Sequence, residues 1–65
     1  MITSEKTYGG YTFRFTATDT GIMVSMLGCH SNYYTLGTVA PKVAAIRDFL
    51  NNIINTGACK HLYEL

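Results

Sequence analysis

The chain has 65 residues, a formal net charge of +1, 14% charged residues and 48% hydrophobic residues. That length predicts one domain, residues 1–65, in which folding hides only about 60% of the surface of the unfolded chain. The small net charge gives no long-range attraction to DNA, and two cysteines are too few for a disulfide-rich scaffold.

Ordinary soluble domains are about 25% charged, so this composition predicts that apolar groups remain exposed as an interface. The N-terminal segment MITSEKTYGG lacks the charged-then-apolar order of a signal peptide, and no apolar run approaches the ~18 residues of a membrane span. We therefore expect a cytoplasmic protein, in the host cytosol if a phage encodes it, with reduced Cys29 and Cys59. Export would instead permit a disulfide between these two cysteines.

Residues 1–10 mix Thr, Ser, Glu and Lys and end in two glycines. We predict a loose lead-in there, with a short edge strand as the alternative. Residues 11–17 then alternate apolar and polar side chains, which is typical of a half-buried strand.

The sequence TDTG at residues 18–21 predicts a turn, and the strand pattern resumes over residues 22–27. A connection of that length places the apolar sides of the two strands together. The expected pairs are Ala17 with Ile22, Phe15 with Val24 and Phe13 with Met26. After a second connection, the pattern predicts a third strand at residues 33–38 or 33–39, with Tyr34 and Leu36 toward the core. Gly37 would allow the helix to approach this strand closely.

The segment at residues 41–56, PKVAAIRDFLNNIINT, is predicted to be the helix. Apolar residues at helical spacing form one stripe: Val43, Ile46, Phe49, Leu50, Ile53 and Ile54. Pro41 suits the first turn, Thr38 offers a side-chain cap, and Gly57 suits the left-handed residue that closes a helix. Residues 58–65 are predicted to be an irregular tail whose Leu62, Tyr63 and Leu65 pack back on the body.

The predicted fold is therefore α+β: a three-stranded antiparallel β-meander with one C-terminal α-helix packed on one face. A single helix covers one side of the sheet only. The other side carries hydroxyls, one cation and three sizeable apolar groups, and the partner-binding residues predicted there are Arg14, Met23, Ser25, Leu27 and Tyr33. The alternative interpretation is a neutral, solvated surface rich in Thr because Thr favours strands.

The segment YYTLGTVAPKVAAIRDF spans the last strand and the start of the helix. Its Leu36-Gly37-Thr38-Val39 and Ala44-Ala45 resemble the AP2-type DNA-binding domain and the related arm-binding domain of tyrosine recombinases, and the shared layout covers residues 11–54. The resemblance implies a three-stranded sheet whose uncovered side enters the major groove of DNA. That side carries several Arg, Lys and Trp residues in the family, whereas this chain has no tryptophan.

The residues predicted to contact DNA, or another anion, are Lys6, Arg14 and Lys42. Lys42 lies at the positive end of the helix dipole, where an anion is favoured. Three phosphate contacts would give a salt slope of only about -3, so the non-specific affinity of a monomer for DNA would be poor.

Cys29, His30, Cys59 and His61 supply the ligand types of a zinc site, but their spacing differs from the common classes, so we predict no metal and no cofactor. Nucleophiles and bases are present without a recognisable catalytic signature. A body of three strands and one helix also predicts no cleft of the ~300 Å³ that ligand sites need. We therefore expect no enzymatic activity.

These observations predict a stand-alone, non-catalytic protein that occupies a surface of a macromolecular partner and forms a homodimer. Phage and mobile-element accessory proteins, including inhibitors of host or defence machinery, are often of this size. A protein partner is favoured over DNA, DNA binding through the same side of the sheet is the alternative, and self-assembly without another partner is a third hypothesis.

Overall fold

The computed structural model describes residues 3–64 and places four antiparallel strands before two helices. The strands are β1 (Thr3–Tyr8), β2 (Tyr11–Thr18), β3 (Gly21–Leu27) and β4 (Tyr33–Val39). The helices are α1 (Val43–Asn55) and α2 (Ala58–Tyr63), and a short 3-10 turn, Cys29–Ser31, joins β3 to β4. Strand order in the sheet is β1-β2-β3-β4, so the α+β meander is confirmed and the predicted counts of three strands and one helix are wrong.

The predicted lead-in is the first strand of the sheet. β1 pairs with β2 along its whole length, from Thr3 opposite Thr16 to Tyr8 opposite Tyr11. Gly9 and Gly10 have φ values of 61° and 87°, and positive φ at both central positions is what a type I′ hairpin turn requires. The two glycines therefore turn the chain directly from one strand into the next. Residues 1 and 2 of the predicted lead-in lie outside the described residues.

The pairing of β2 with β3 is the one that the alternation predicts. Phe13 lies opposite Met26, Phe15 opposite Val24, and Ala17 opposite Ile22. Phe13, Val24 and Met26 are fully buried. These side chains of the two strands therefore face a single core.

A bulge in β4 changes which of its side chains face that core. Ser25 pairs with Thr35 but Val24 pairs with Gly37, so Leu36 is the extra residue on β4. One extra residue reverses the alternation beyond it. As a result both Leu36 and Val39 pack against the core, and Thr38 lies opposite Met23 on the other side of the sheet.

Helix α1 begins at Val43, two residues later than predicted, and Lys42 is the extended residue that precedes it. No side chain caps this end, and Thr38, the predicted cap, belongs to β4. Leu50 is buried and Ile46, Phe49, Ile53 and Ile54 pack against the core, which confirms most of the predicted stripe. Val43 is 73% exposed, so its predicted place in the core is wrong.

Gly37 determines how closely α1 approaches the sheet, and Gly57 determines how α1 ends. A Cβ on Gly37 would lie 3.2 Å from Cζ of Phe49, so the helix does approach the backbone closely there. Gly57 has φ 82° and follows α1 in the left-handed conformation, as predicted.

The predicted irregular tail is helix α2. Its Cys59 is fully buried in the core with Phe13, Val24, Met26 and Leu50, and Leu62 packs against that cluster. Tyr63 lies edge-on to Tyr11, with ring centroids 5.9 Å apart, although it stays 57% exposed. Leu65, which was also expected to pack back, lies outside the described residues. Both helices thus cover the same side of the sheet.

Among the described residues, neither helix has the length and apolar composition needed to cross a membrane.

Candidate functional site

The candidate site is the side of the sheet opposite the two helices, which we call the open face. Side chains alternate along each strand, and the cross-strand pairs fix which ones share this side. The open face consists of Thr3, Glu5, Thr7, Thr12, Arg14, Thr16, Thr18, Met23, Ser25, Leu27, Tyr33, Thr35 and Thr38. Since α1 and α2 pack on the other side, no helix of residues 3–64 lies over these side chains.

Three side chains from different strands form a connected cluster on the open face. Arg14 donates from Nε and Nη2 to Oε2 of Glu5, at 3.2 and 3.0 Å. Tyr33 donates from its hydroxyl to the same oxygen, at 2.6 Å. The guanidinium carbon of Arg14 lies 3.7 Å from the centre of the Tyr33 ring, a cation-π contact.

This cluster spans the sheet from one edge strand to the other, because Glu5 belongs to β1 and Tyr33 to β4. Arg14 pairs with Ser25 on the intervening strand β3, and Ser25 is only 7% exposed. A serine is short enough to leave room for larger side chains above it. The cluster thus lies over Ser25 on the outside of the sheet, and the hydrogen bonds to Glu5 hold Arg14 and Tyr33 in defined positions there.

The charges within the cluster balance. The hydrogen bond from Tyr33, followed by that from Arg14, lowers the pKa of Glu5 below its ordinary value of 4.5. Donation to Glu5 raises the pKa of the Tyr33 hydroxyl above its ordinary value of 10.0. At neutral pH the cluster accordingly contains one carboxylate, one guanidinium and one neutral phenol, with no net charge.

All five predicted partner-binding residues lie on the open face. Arg14, Met23, Leu27 and Tyr33 are half-buried, so each presents part of its side chain to solvent, whereas Ser25 is buried. Sequence reasoning missed Glu5, which holds both Arg14 and Tyr33. The reason is that Glu5 lies within residues 1–10, for which the sequence predicts a loose lead-in rather than a strand.

The residues predicted for anion or DNA contact do not share one surface. Arg14 lies on the open face and is paired with Glu5. Lys6 lies opposite Phe13 and so faces the side that α1 covers, and Lys42 immediately precedes α1. A phosphate backbone along the open face would meet Arg14 and Glu5 together.

The possible zinc ligands are also dispersed. No three His, Cys, Asp or Glu side chains come together to hold a metal ion anywhere in residues 3–64. Both cysteines are free: Cys59 is buried in the core, and Sγ of Cys29 lies 3.1 Å from the hydroxyl of Tyr34. That contact with Cys29 is the main cause that raises the pKa of Tyr34. The alternative of a Cys29–Cys59 disulfide is not realised in this structure.

A groove is present on the helix side, contrary to the expectation of no cleft. It has a volume of about 380 Å³ and lies between β1 and α1. The fourth strand explains it, because the sheet is wider than the three strands on which the expectation relied. The residues that line it are Ser4, Lys6, Thr7, Tyr8, Phe15, Ile22, Val43, Ile46, Arg47 and Leu50.

Comparisons of this chain with family models, with curated proteins and with solved structures find no match.

Proposed function

We propose that this chain is a non-catalytic binding protein whose open face occupies a surface of a macromolecular partner, and that the partner is a protein. Small phage and mobile-element accessory proteins that block host or defence machinery act in this way. The observation that carries the proposal is the Glu5–Arg14–Tyr33 cluster on an open face that neither helix covers.

The composition of this face supports binding. Arg and Tyr concentrate binding energy at protein interfaces, and here both are already held by Glu5. A side chain that is ordered before binding loses less conformational entropy in the complex. Met23 and Leu27 add apolar surface beside the cluster, as the centre of an interface requires.

The charge balance supports a protein partner over DNA. Arg14 is the one cation of the open face within residues 3–64, and it already forms an ion pair with Glu5 at 3.0 Å. One phosphate contact would contribute a salt slope of only about -0.9. The carboxylate of Glu5 beside it would repel the same phosphate. A neutral face with hydroxyl groups and apolar side chains suits a protein surface better.

The test is capture of a partner from a nuclease-treated lysate of the source cells, with the immobilised chain as bait. The double variant R14A/Y33A removes two of the three members of the cluster. The matched control D48A/N52A changes two exposed residues on α1, away from the open face. Circular dichroism verifies that both variants keep the fold.

We expect the wild-type chain and D48A/N52A to retain one protein at equal yield, and R14A/Y33A to lose it. Retention of that protein by folded R14A/Y33A would contradict the assignment of the open face. A gel shift with duplex DNA at low and moderate salt tests the alternative, and a retarded complex that R14A/Y33A abolishes would favour DNA over protein.

A further inference from the structure

The groove between β1 and α1 is a second candidate binding site, on the side of the sheet away from the open face. Tyr8 closes one end, since its hydroxyl donates to Oδ1 of Asn51 at 2.6 Å and so joins β1 to α1. The adjoining turn also contacts the helix, because a Cβ on Gly9 would lie only 2.8 Å from Cδ1 of Ile54. The volume of about 380 Å³ falls in the lower part of the range for small-molecule sites.

The inner surface of this groove is apolar. Phe15 and Ile22 from the sheet and Ile46 and Leu50 from α1 line it. Val43 stands at its margin and is 73% exposed, so a sizeable apolar side chain there has solvent rather than protein as its neighbour. An apolar occupant would remove this surface from water.

The charges on the walls are of one sign. Lys6 lines the groove from β1 and Arg47 lines it from α1, while no Asp or Glu is among the described residues of the lining. The ion pair found within residues 3–64 joins Arg14 to Glu5, so neither Lys6 nor Arg47 is neutralised by a carboxylate of that part of the chain. Two cations beside an apolar groove favour a ligand that has an anionic group and an apolar chain.

We propose that this groove binds an amphipathic monoanion, of which a medium-chain carboxylate is the simplest form. Its alkyl chain lies on Phe15, Ile22 and Leu50, and its carboxylate lies between Lys6 and Arg47. The closed end at Tyr8 and the small volume favour a short ligand of this kind over an extended peptide segment. The inference is independent of the proposed function, because Lys6, Arg47 and the apolar lining of the groove lie on the opposite side of the sheet from the Glu5–Arg14–Tyr33 cluster.

The experiment is a titration of the ¹⁵N-labelled full chain with decanoate, kept below its micelle concentration and followed by amide chemical shifts. Decanol has the same chain without the charge, and decyltrimethylammonium carries the opposite charge. The variant K6Q/R47Q removes both groove cations, and K60Q removes an exposed cation that does not line the groove.

We expect saturable shifts at groove residues with decanoate and weaker binding of both other probes. K6Q/R47Q should weaken decanoate binding by about tenfold or more, as loss of charge-assisted contacts predicts, while K60Q leaves it unchanged. Each methylene removed from the carboxylate should weaken binding about fourfold while the chain still lies in the groove.

Three results would overturn the proposal. Equal binding of decanol and decanoate would show that the cations do not select the ligand. Shifts confined to the open face would place the site elsewhere. Absence of decanoate binding would also reject it. In that case, groove shifts that depend on protein concentration would indicate a second copy as the occupant, and groove shifts on addition of an acidic peptide would indicate a peptide.

Discussion

The substitution Gly21→Ala tests the packing of β3 against β4 at the end of the sheet. Gly21 has φ 145°, a conformation that residues with a Cβ rarely adopt. An added Cβ would also overlap the backbone carbonyl oxygen of Val39, which cannot rotate away as a side chain can. Thr38 and Val39 would have to move, and the pairs that they form with Met23 and Ile22 would be disturbed.

The expected cost can be worked out from these two effects. Backbone strain at a positive φ contributes about 1–3 kcal/mol, and forcing extra volume into a packed site contributes about 1–3 kcal/mol. The sum, about 2–6 kcal/mol, is comparable with the whole stability of a domain of this length, about 3–10 kcal/mol. Gly10→Ala is the matched control, because Gly10 also has positive φ, 87°, but an added Cβ meets no atom within 4 Å. Strain alone predicts about 1–2 kcal/mol there.

Urea unfolding followed by circular dichroism measures both variants against the wild type. With a slope of about 1 kcal/mol per molar urea, Gly10→Ala should lower the midpoint by about 1–2 M. Gly21→Ala should lower it by clearly more or leave the chain unfolded without urea. If Gly21→Ala is folded and no less stable than Gly10→Ala, the carbonyl of Val39 does not lie over this glycine and the β3–β4 register is wrong.

Three further predictions concern the core, the cluster and the thiols. Leu50→Ala should cost about 2–5 kcal/mol in urea unfolding because Leu50 is 5% exposed, whereas Val43→Ala at 73% exposure should stay within about 0.5 kcal/mol. The lowered pKa of Glu5 contributes stability that is present above pH 4.5, its ordinary pKa, and that is lost as the pH falls through the lowered pKa. Glu5→Gln should flatten that part of the curve of unfolding free energy against pH. An unchanged curve would contradict the cluster. Iodoacetamide should alkylate half-buried Cys29 in the native protein and spare buried Cys59 until unfolding. Burial raises the pKa of the Cys59 thiol, so the stability linked to it is present below the ordinary value of 9.0 and is lost as the pH rises through the raised pKa.

The sequence predicted the central hairpin best, because local alternation determines it. Phe13 and Phe15 alternate with polar residues, Val24 and Met26 do the same, and the loop length sets their pairing. Both strands lie in the middle of the sheet with one side buried, which is the situation that produces a clear pattern of period two.

β1 produces no such pattern because it is an edge strand with all six residues exposed. The side chains of Ser4 and Lys6 lie on the groove side and that of Glu5 lies on the open face, and none of the three is apolar. The signal that identifies this strand is the turn: Gly9-Gly10 between two tyrosines predicts a type I′ hairpin. Without β1, neither the Glu5 cluster nor the groove could be predicted.

α2 escaped prediction for a different reason. Six residues are fewer than two helical turns, so Cys59, Leu62 and Tyr63 give an apolar pattern too short to indicate a helix. A helix of that length is unstable alone and forms because its Cys59 enters a core made by the preceding elements. Tertiary packing, which a single sequence does not display, determines this part of the fold.

The two edges of the sheet bear on the predicted homodimer. β1 exposes Glu5 and Lys6, and in a two-fold β1–β1 pair with both open faces on one side, the two longest registers place either Glu5 or Lys6 opposite its own copy. β4 has no charged residue, but the bulge at Leu36 interrupts its ladder, and bulges are a common protection of edge strands. Since neither edge favours strand pairing, we expect a dimer to join open faces, in competition with the partner of the proposed function. Sedimentation equilibrium should show self-association that Leu27→Glu abolishes, because a carboxylate would then enter an apolar contact. A dimer that Leu27→Glu leaves intact would mean that the second copy binds elsewhere.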